Sequence, residues 1–186
     1  QPFTSKLVLS NLEWFKYEWI WEKSIGANPL LCKKQPMKYH ENVLVFSKKQ
    51  VVFNPQMTTG KMRDKKPQMY GTKQDENWGG AMRKFNGVTN INDKYYPRSY
   101  QYFSNADQIN KQHPTQKPVA LFEYFIKTYT NENELVLDNC IGSGTTAIAC
   151  MQTNRNFIGM ELEPKYVDIA NKRIEDYKQQ LKLEIK

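Results

Sequence analysis

The sequence predicts an α/β fold, and three stretches carry that prediction. The first runs from Leu135 to Cys150, where an apolar run (Leu135, Val136, Leu137) meets an acid at Asp138. A turn with glycines at 142 and 144 follows, and then small residues suited to a helix from Thr145 to Thr153. The second is Asn156–Glu161 (NFIGME), a further short strand that ends in an acid and leads into a helix from Pro164. The third lies near the N-terminus. There Tyr17, Trp19 and Trp21 alternate on one strand face between Tyr17 and Glu22, and Asn42–Ser47 (NVLVFS) reads as a second strand.

The remaining elements follow in order. Phe3, Leu7, Val8 and Leu12 suit a short amphipathic helix over Phe3–Leu12. Ser24 to Tyr39 holds a glycine, two prolines and three lysines and reads as loop. Core packing of a sheet against helices accounts for Trp19 and Trp21 better than a direct ligand role. After the proline-bounded string HPTQKP (His113–Pro118), Leu121, Phe122, Phe125, Ile126 and Tyr129 line one face of a helix over Val119–Tyr129. In the last helix Val167, Ala170, Ile174, Tyr177 and Leu181 stand at helical spacing.

Length and composition exclude several classes. At 186 residues the chain is most simply one domain with room for a core. Charged residues at 25% and aromatics at 13% indicate a globular protein. No apolar run of roughly 18 residues is present to span a bilayer, and the N-terminus has no signal-peptide pattern, so a soluble, unexported protein is expected. Cys32, Cys140 and Cys150 are scattered and His40 and His113 add no ligand spacing; neither a disulfide framework nor a metal site is expected, and a reducing cytoplasm is the default. A translated chain begins with methionine, whereas this one begins at Gln1, so a segment upstream is expected.

Charge is concentrated in one place. Between Lys48 and Gln112 there are 12 Lys plus Arg against 5 Asp plus Glu, a local +7 of the +8 carried by the whole chain. The same window holds nine aromatics among many amide and hydroxyl side chains, with little periodicity. Basic residues interleaved with aromatics and amides suit a polyanion with stackable bases. Lys61, Arg63, Lys65, Lys66, Arg83, Lys84 and Arg98 are the candidate nucleic-acid contacts. A solvated basic surface with aromatics turned into a small core is the competing account.

The glycine turn invites a ligand. Positive φ at Gly142 or Gly144 lets a bound group approach the backbone, and the helix start beyond offers free N–H groups. A βα turn with glycines for geometry alone is the alternative. Glu161 stands 17 residues after Gly144 at the tip of the next strand, placed to accept hydrogen bonds from a ribose. Capping of the following helix is the other use for an acid here, and Glu163 is expected to take it and leave Glu161 free.

HPTQKP (His113–Pro118), DNCIGSGTT (Asp138–Thr146) and FIGME (Phe157–Glu161) followed by Tyr166, Ala170 and Arg173 together resemble the C-terminal half of the DNA amino-methyltransferases. WEK (Trp21–Lys23) and HENVLVFSK (His40–Lys48) resemble that family's two strands before its target-recognition segment. The resemblance implies a Rossmann-like, S-adenosylmethionine-dependent methyltransferase sheet with helices on both faces. Residues 1–49 and 113–186 would form an incomplete core around an inserted, loop-rich recognition segment at 50–112. It implies methylation of the exocyclic amine of adenine, or of cytosine, in double-stranded DNA, in a prokaryotic or phage-encoded restriction-modification setting.

Roles follow residue by residue from the same resemblance. Asp138, Gly142, Ser143, Gly144 and Thr145 would surround the methionine part of the cofactor, with Ser143 and Thr145 offering hydroxyls and amides. Glu161 would hold the ribose, Thr115 and Lys117 the carboxylate, and His113 would shape the loop. Asn139 and Cys140 replace the Pro-Phe often found there, and Cys140 reads as a packing thiol, since amino-methyl transfer needs no nucleophile. The family's catalytic tetrad, an Asp, Asn or Ser followed by Pro-Pro and an aromatic, is missing, because none of the nine prolines is adjacent to another. Asn28-Pro29 and Asn54-Pro55 read as ordinary turns. No catalytic residue is therefore assigned within this chain, and a missing N-terminal segment or a partner chain would supply the tetrad.

Two other readings stay open at this point. A non-catalytic DNA-binding or regulatory subunit would keep the fold without the tetrad. A nicotinamide-dependent oxidoreductase would also use Gly142, Gly144 and Ala147 with a distal acid, although only 25 residues follow Glu161.

Overall fold

The computed structural model describes residues 2–65, 90–106 and 112–184. Among the described residues the elements in chain order are α1 (Pro2–Ser10), β1 (Phe15–Ala27), β2 (Lys38–Phe46), β3 (Thr58–Lys65), β4 (Asn90–Tyr95), β5 (Tyr100–Tyr102), α2 (Val119–Tyr129), β6 (Leu135–Asp138), α3 (Thr145–Gln152), β7 (Asn156–Gly159) and α4 (Pro164–Glu184), with a 3₁₀ turn at Pro29–Leu31. They form two compact units, Gln1–Gln56 with Arg98–Lys186, and Met57–Pro97.

In the larger unit, β1 is the centre of a three-stranded sheet ordered β2-β1-β5, antiparallel to β2 and parallel to β5. Trp19 and Trp21 are 4% and 3% exposed, as their alternation predicts for a core-facing strand face. Each indole finds a polar partner: Trp19 donates to the Tyr129 hydroxyl at 2.5 Å and Trp21 to the Phe103 carbonyl at 2.9 Å. Trp19 also meets Tyr124 and Phe125 of α2 edge-on, with centroids 5.9 and 5.7 Å away.

The expected loop at Ser24–Tyr39 is shorter than the sequence suggested. β1 continues to Ala27 and β2 begins at Lys38. The extra strand residues are satisfied from far along the chain: the Ile25 N–H donates to Asn105 Oδ1 at 2.8 Å, and Asn105 Nδ2 donates to the Ile25 carbonyl at 3.2 Å. Gly26 fits because the Tyr39 ring lies across it, only 2.6 Å from where a Cβ would stand. The N-terminal helix forms as expected, ending at Ser10, but none of its residues is buried.

The strand–turn–helix–strand unit forms as the apolar pattern requires. β6 and β7 pair in parallel from Leu135↔Asn156 to Asp138↔Gly159, with α3 between them in sequence. α3 is almost wholly buried because its residues are small, and Ala149 and Cys150 form a core with Ile126 of α2 that Val119, Phe122, Val136 and Phe157 surround. Burial pushes the Cys150 thiol up to about 11. On the other face of the pair, Leu135 and Leu137 are 58% and 61% exposed, which is unusual for parallel strands.

The smaller unit is an antiparallel pair, β3 with β4, in a window where little regular structure was expected. Its register is irregular between Thr59 and Arg63. Gly60 leaves room for the Tyr95 ring, whose hydroxyl donates to the Lys61 carbonyl at 2.9 Å. No apolar alternation marks these strands, so period-two reasoning had nothing to detect. The expected insertion of 50–112 is wider than this unit, since Tyr100–Tyr102 joins the sheet of β1.

Candidate functional site

The site is built where β6 ends. Asp138 closes the following turn on itself, because one carboxylate oxygen accepts from the Cys140 N–H at 3.0 Å and the other from the Thr146 hydroxyl. Gly142 (φ 52°) and Gly144 (φ 83°) both occupy the left-handed region, so the turn needs glycine at both places. Gly144 has a second reason: a Cβ there would stand 3.1 Å from the Ala170 Cβ of α4. Thr145 opens α3 and is buried.

Ser143 is buried between two partners. Its hydroxyl donates to Gln116 Oε1 at 2.8 Å and accepts from Arg173, which also donates to its carbonyl. That hydroxyl therefore ties the glycine turn to the HPTQKP loop. The His113 ring covers Gly142, 3.5 Å from where a Cβ would stand, and meets Tyr166 of α4 edge-on at 4.2 Å. Its Nδ1 accepts from the Thr115 N–H at 3.2 Å and lies 3.1 Å from the Thr115 hydroxyl. His113 thus shapes the loop that carries Thr115, Gln116 and Lys117.

Glu161 is not free: its carboxylate binds the backbone leading into α4, while the Glu163 carbonyl accepts from Tyr166 and Val167 in the helix's first turn. One oxygen accepts from the N–H groups of Leu162 (2.8 Å) and Glu163 (3.0 Å); the other accepts from Gly142 at 2.9 Å. The strand end lets this side chain fold back over both backbones at once. The Glu163 N–H, together with those of Gly142 and Leu162, holds the Glu161 carboxyl below its ordinary range.

Lys117 pairs with Glu41 of β2, Nζ to Oε2 at 3.3 Å, and Lys23 of β1 takes the other oxygen at 3.2 Å. Partial burial pushes the Glu41 carboxyl up, and Lys117 and Lys23 more than offset this, so it ionises below the usual range.

Other expectations meet a mixed outcome. Cys140 is exposed, with its Sγ 3.5 Å from Asn139 Oδ1, so it is no packing thiol; its place in an open turn explains this, and Cys150 is the buried one. Asn28 and Asn54 are structural. Asn28 (φ 66°) opens the 3₁₀ turn, while Asn54 donates from its backbone to the Thr128 carbonyl and from its side chain to those of Lys127 and Thr130, at the end of α2. Of the basic candidates, Lys61 is exposed on β3, and Arg63 and Lys65 occupy the alternate positions beyond it. Arg98 is exposed, 5.9 Å over the Tyr100 ring and donating to its hydroxyl at 2.8 Å. Lys66, Arg83 and Lys84 lie outside the described residues. Among the described residues, no group of His, Cys, Asp or Glu is arranged to hold a metal ion, and no helix is long and apolar enough to cross a membrane. An open apolar cavity of about 410 Å³ between β2, Gln50–Val52, Phe125 and Tyr129 includes none of the turn residues.

Gln116, Arg173 and Glu41 were not assigned roles from sequence. Each acts through a partner far away in the chain, and no local spacing marks such a pair.

Comparison with known proteins places this geometry. Residues 4–172 match the DNA methylase family. The Type II methyltransferase M.HpaI of Haemophilus parainfluenzae is 33% identical over 141 residues, 73% of this chain and 38% of that protein. M.XycI of Xanthomonas campestris pv. cyanopsidis, also a Type II methyltransferase, is 27% identical over 175 residues, 94% of this chain and 49% of that protein. The chain thus spans less than half the length of either relative. Among solved structures, the M1.HpyAVI complex with SAM aligns over 93% of this chain and 70% of its own, with 27% identity and a TM-score of 0.61. The PvuII DNA methyltransferase, cytosine-N4-specific, gives a TM-score of 0.62 at 17% identity, covering 92% of this chain and 56% of its own, a likeness of fold alone. The α/β expectation and the Rossmann-like methyltransferase fold agree with these structures.

Proposed function

This chain belongs to the DNA methylase family, and from that membership we propose that it is the cofactor-binding and DNA-recognition part of a site-specific DNA amino-methyltransferase. The cofactor is S-adenosylmethionine, the substrate double-stranded DNA, and the proposed target the exocyclic amine of adenine, with cytosine N4 as the outcome that would replace it. Family membership runs against the nicotinamide-dependent alternative. Bacterial Type II relatives favour a restriction-modification role in the cytoplasm.

One observation carries the reading. Three stretches separated in sequence meet around the glycine turn: the HPTQKP loop through Ser143 and Gln116, the tip of β7 through Glu161 and Gly142, and α4 through Gly144 and Ala170. Their donor set suits S-adenosylmethionine, which supplies an activated methyl on a sulfonium sulfur. Asp138, Gly142, Ser143, Gly144 and Thr145 border the methionine part, with backbone N–H groups at the start of α3. Lys117 and Thr115 face the carboxylate, which needs a cation or donors when partly buried. Glu161 takes the ribose hydroxyls on the lone pairs its backbone partners leave, and His113 keeps the loop in shape. Held by these residues, S-adenosylmethionine would supply its methyl group to an exocyclic amine, and no residue of this chain is assigned a covalent role.

The base must be taken out of the stack and its amine held, which is the task of the tetrad this chain does not contain. The segment 50–112, with the β3–β4 unit inside it, is the proposed DNA-recognition insertion between 1–49 and 113–186, with Tyr100–Tyr102 returning to the sheet of β1. Lys61, Arg63, Lys65, Lys66, Arg83, Lys84 and Arg98 are its proposed contacts. A regulatory subunit that binds DNA without catalysis is the alternative reading. Calorimetric titration with S-adenosylmethionine and with NAD tests the cofactor: saturable binding of the first alone is expected, and binding of NAD alone would sink the assignment.

A further inference from the structure

A charge cluster with one buried member, Lys23, and two half-buried ones, Glu41 and Lys117, includes the proposed cofactor loop. Lys23 is 8% exposed on the same face of β1 as Trp19 and Trp21, a position where an unpaired ammonium would be costly. Among the described residues its ion-pair partner is Glu41, whose second oxygen holds Lys117 at 3.3 Å. Trp21 lies beneath both cations, with Lys23 Nζ 6.0 Å and Lys117 Nζ 5.9 Å from its ring. Two cations against one anion leave a single net positive charge, and Lys117 remains about one-third exposed (34%). Gln116, next to Lys117, is fastened to the glycine turn through Ser143. The loop is therefore pinned at adjacent residues, at one to the turn and at the other to the sheet.

We propose that Glu41 is a positioning residue that fixes the Lys117 ammonium on the sheet so that the residual positive charge meets the carboxylate of the cofactor. The inference rests on the function proposed above and extends it to a residue on a strand outside the glycine turn. Glu41 touches no substrate atom. It acts by limiting where a long, flexible lysine can go, which lowers the ordering cost when an anion binds. Lys23 keeps Glu41 from cancelling Lys117 outright.

The test is calorimetric titration of the wild-type chain, Glu41→Gln, Lys117→Met and the double variant with S-adenosylmethionine and with its decarboxylated form. The latter keeps the sulfonium, amine and adenosine but lacks the carboxylate. Each single change is expected to weaken S-adenosylmethionine about tenfold. The double variant should bind no more weakly than Lys117→Met, and all four proteins should bind the decarboxylated ligand alike. Equal losses for both ligands, or losses that multiply in the double variant, would overturn the proposal. If Glu41→Gln fails to fold, Glu41→Asp keeps a negative charge beside Lys23 while shortening the reach of the carboxylate toward Lys117. Selective loss of the carboxylated ligand in that variant supports the proposal, and undiminished affinity overturns it. Failure of the wild-type chain to bind S-adenosylmethionine would instead remove the functional reading itself, before any substitution is compared.

Discussion

Glu161 accepts a hydrogen bond from the Gly142 N–H at 2.9 Å, fastening the tip of β7 to the turn that follows β6. The same carboxylate takes the N–H groups of Leu162 and Glu163, so it serves the architecture of the site as well as its proposed ribose contact. Glu161→Ala should therefore weaken S-adenosylmethionine binding and also lower the thermal midpoint, whereas Glu161→Gln, which keeps one acceptor oxygen, should recover part of the second loss only. The sign of the acid response follows from the lowered carboxyl. A carboxylate with a folded pKa below its unfolded value contributes stability above about pH 4.5 that is lost as pH falls through the folded value. Denaturant midpoints measured from pH 6 down to pH 3, as an approximate working range around that value, should show wild type and Glu161→Gln converging at the acid end. Parallel curves would mean that the carboxylate charge contributes nothing at this position.

The two glycines of the turn should differ in their tolerance of a methyl group. Both hold positive φ, which costs a non-glycine residue about 1–2 kcal/mol. At Gly144 the new Cβ would also stand 3.1 Å from one atom of Ala170 and 3.2 Å from another on its backbone, whereas at Gly142 it would meet only the His113 ring at 3.5 Å. Urea unfolding should rank Gly144→Ala below Gly142→Ala, with a total loss at Gly144 of about 2–3 kcal/mol. The reverse order would show that α4 yields easily to the turn.

This contrast also marks how far local sequence could be read. The strand, the glycine turn, α3 and β7 were legible because each announces itself within a few residues: an apolar run, an acid, two glycines, small helix formers. α2 was legible for the same reason, its apolar face repeating from Leu121 to Tyr129. The full length of β1 was not, since Ser24 and Gly26 are poor strand formers and their support comes from Asn105 and Tyr39. Glu161 was expected to be free, and its three backbone partners came to light only with the path of the chain. The Lys23–Glu41–Lys117 cluster joins residues from three elements, and no period or spacing predicts it.

Salt dependence tests the basic insertion. Lys61, Lys65 and Lys66 stand close together in the sequence, the first two on β3. Each phosphate contact releases condensed counterions and adds about 0.9 to the slope of log K against log salt on duplex DNA. Changing all three to alanine should lower affinity and flatten that slope by about 2 to 3. Equal slopes for the wild-type chain and the triple variant would remove these lysines from the DNA interface.

Binding and catalysis should separate in this chain. The loop at Thr115 and Lys117, the turn from Gly142 to Gly144 and the carboxylate of Glu161 supply the proposed cofactor contacts, so S-adenosylmethionine should bind. Methyl transfer asks for more, because the amine must be held against the methyl, and effective-molarity gains of about 7–11 kcal/mol depend on fixing both partners. The chain has no Pro-Pro tetrad; Asn28 opens the 3₁₀ turn, and the Asn54 side chain donates to Lys127, Thr130 and Asn131 where α2 ends. The measurement is transfer of radiolabelled methyl groups to mixed-sequence duplex DNA, by the 186-residue chain alone and with a tetrad-bearing segment of a longer relative added in trans. The exposed Leu135 and Leu137 face of the β6–β7 pair offers apolar surface on which such a segment can pack. Transfer only in the presence of the added segment is the expected result, with N6-methyladenine as the product. Silence in both arms, with cofactor and DNA still bound, would favour the regulatory subunit. Robust transfer by the chain alone would mean that catalysis here does not use the tetrad, and attention would turn first to the residues that line the glycine turn.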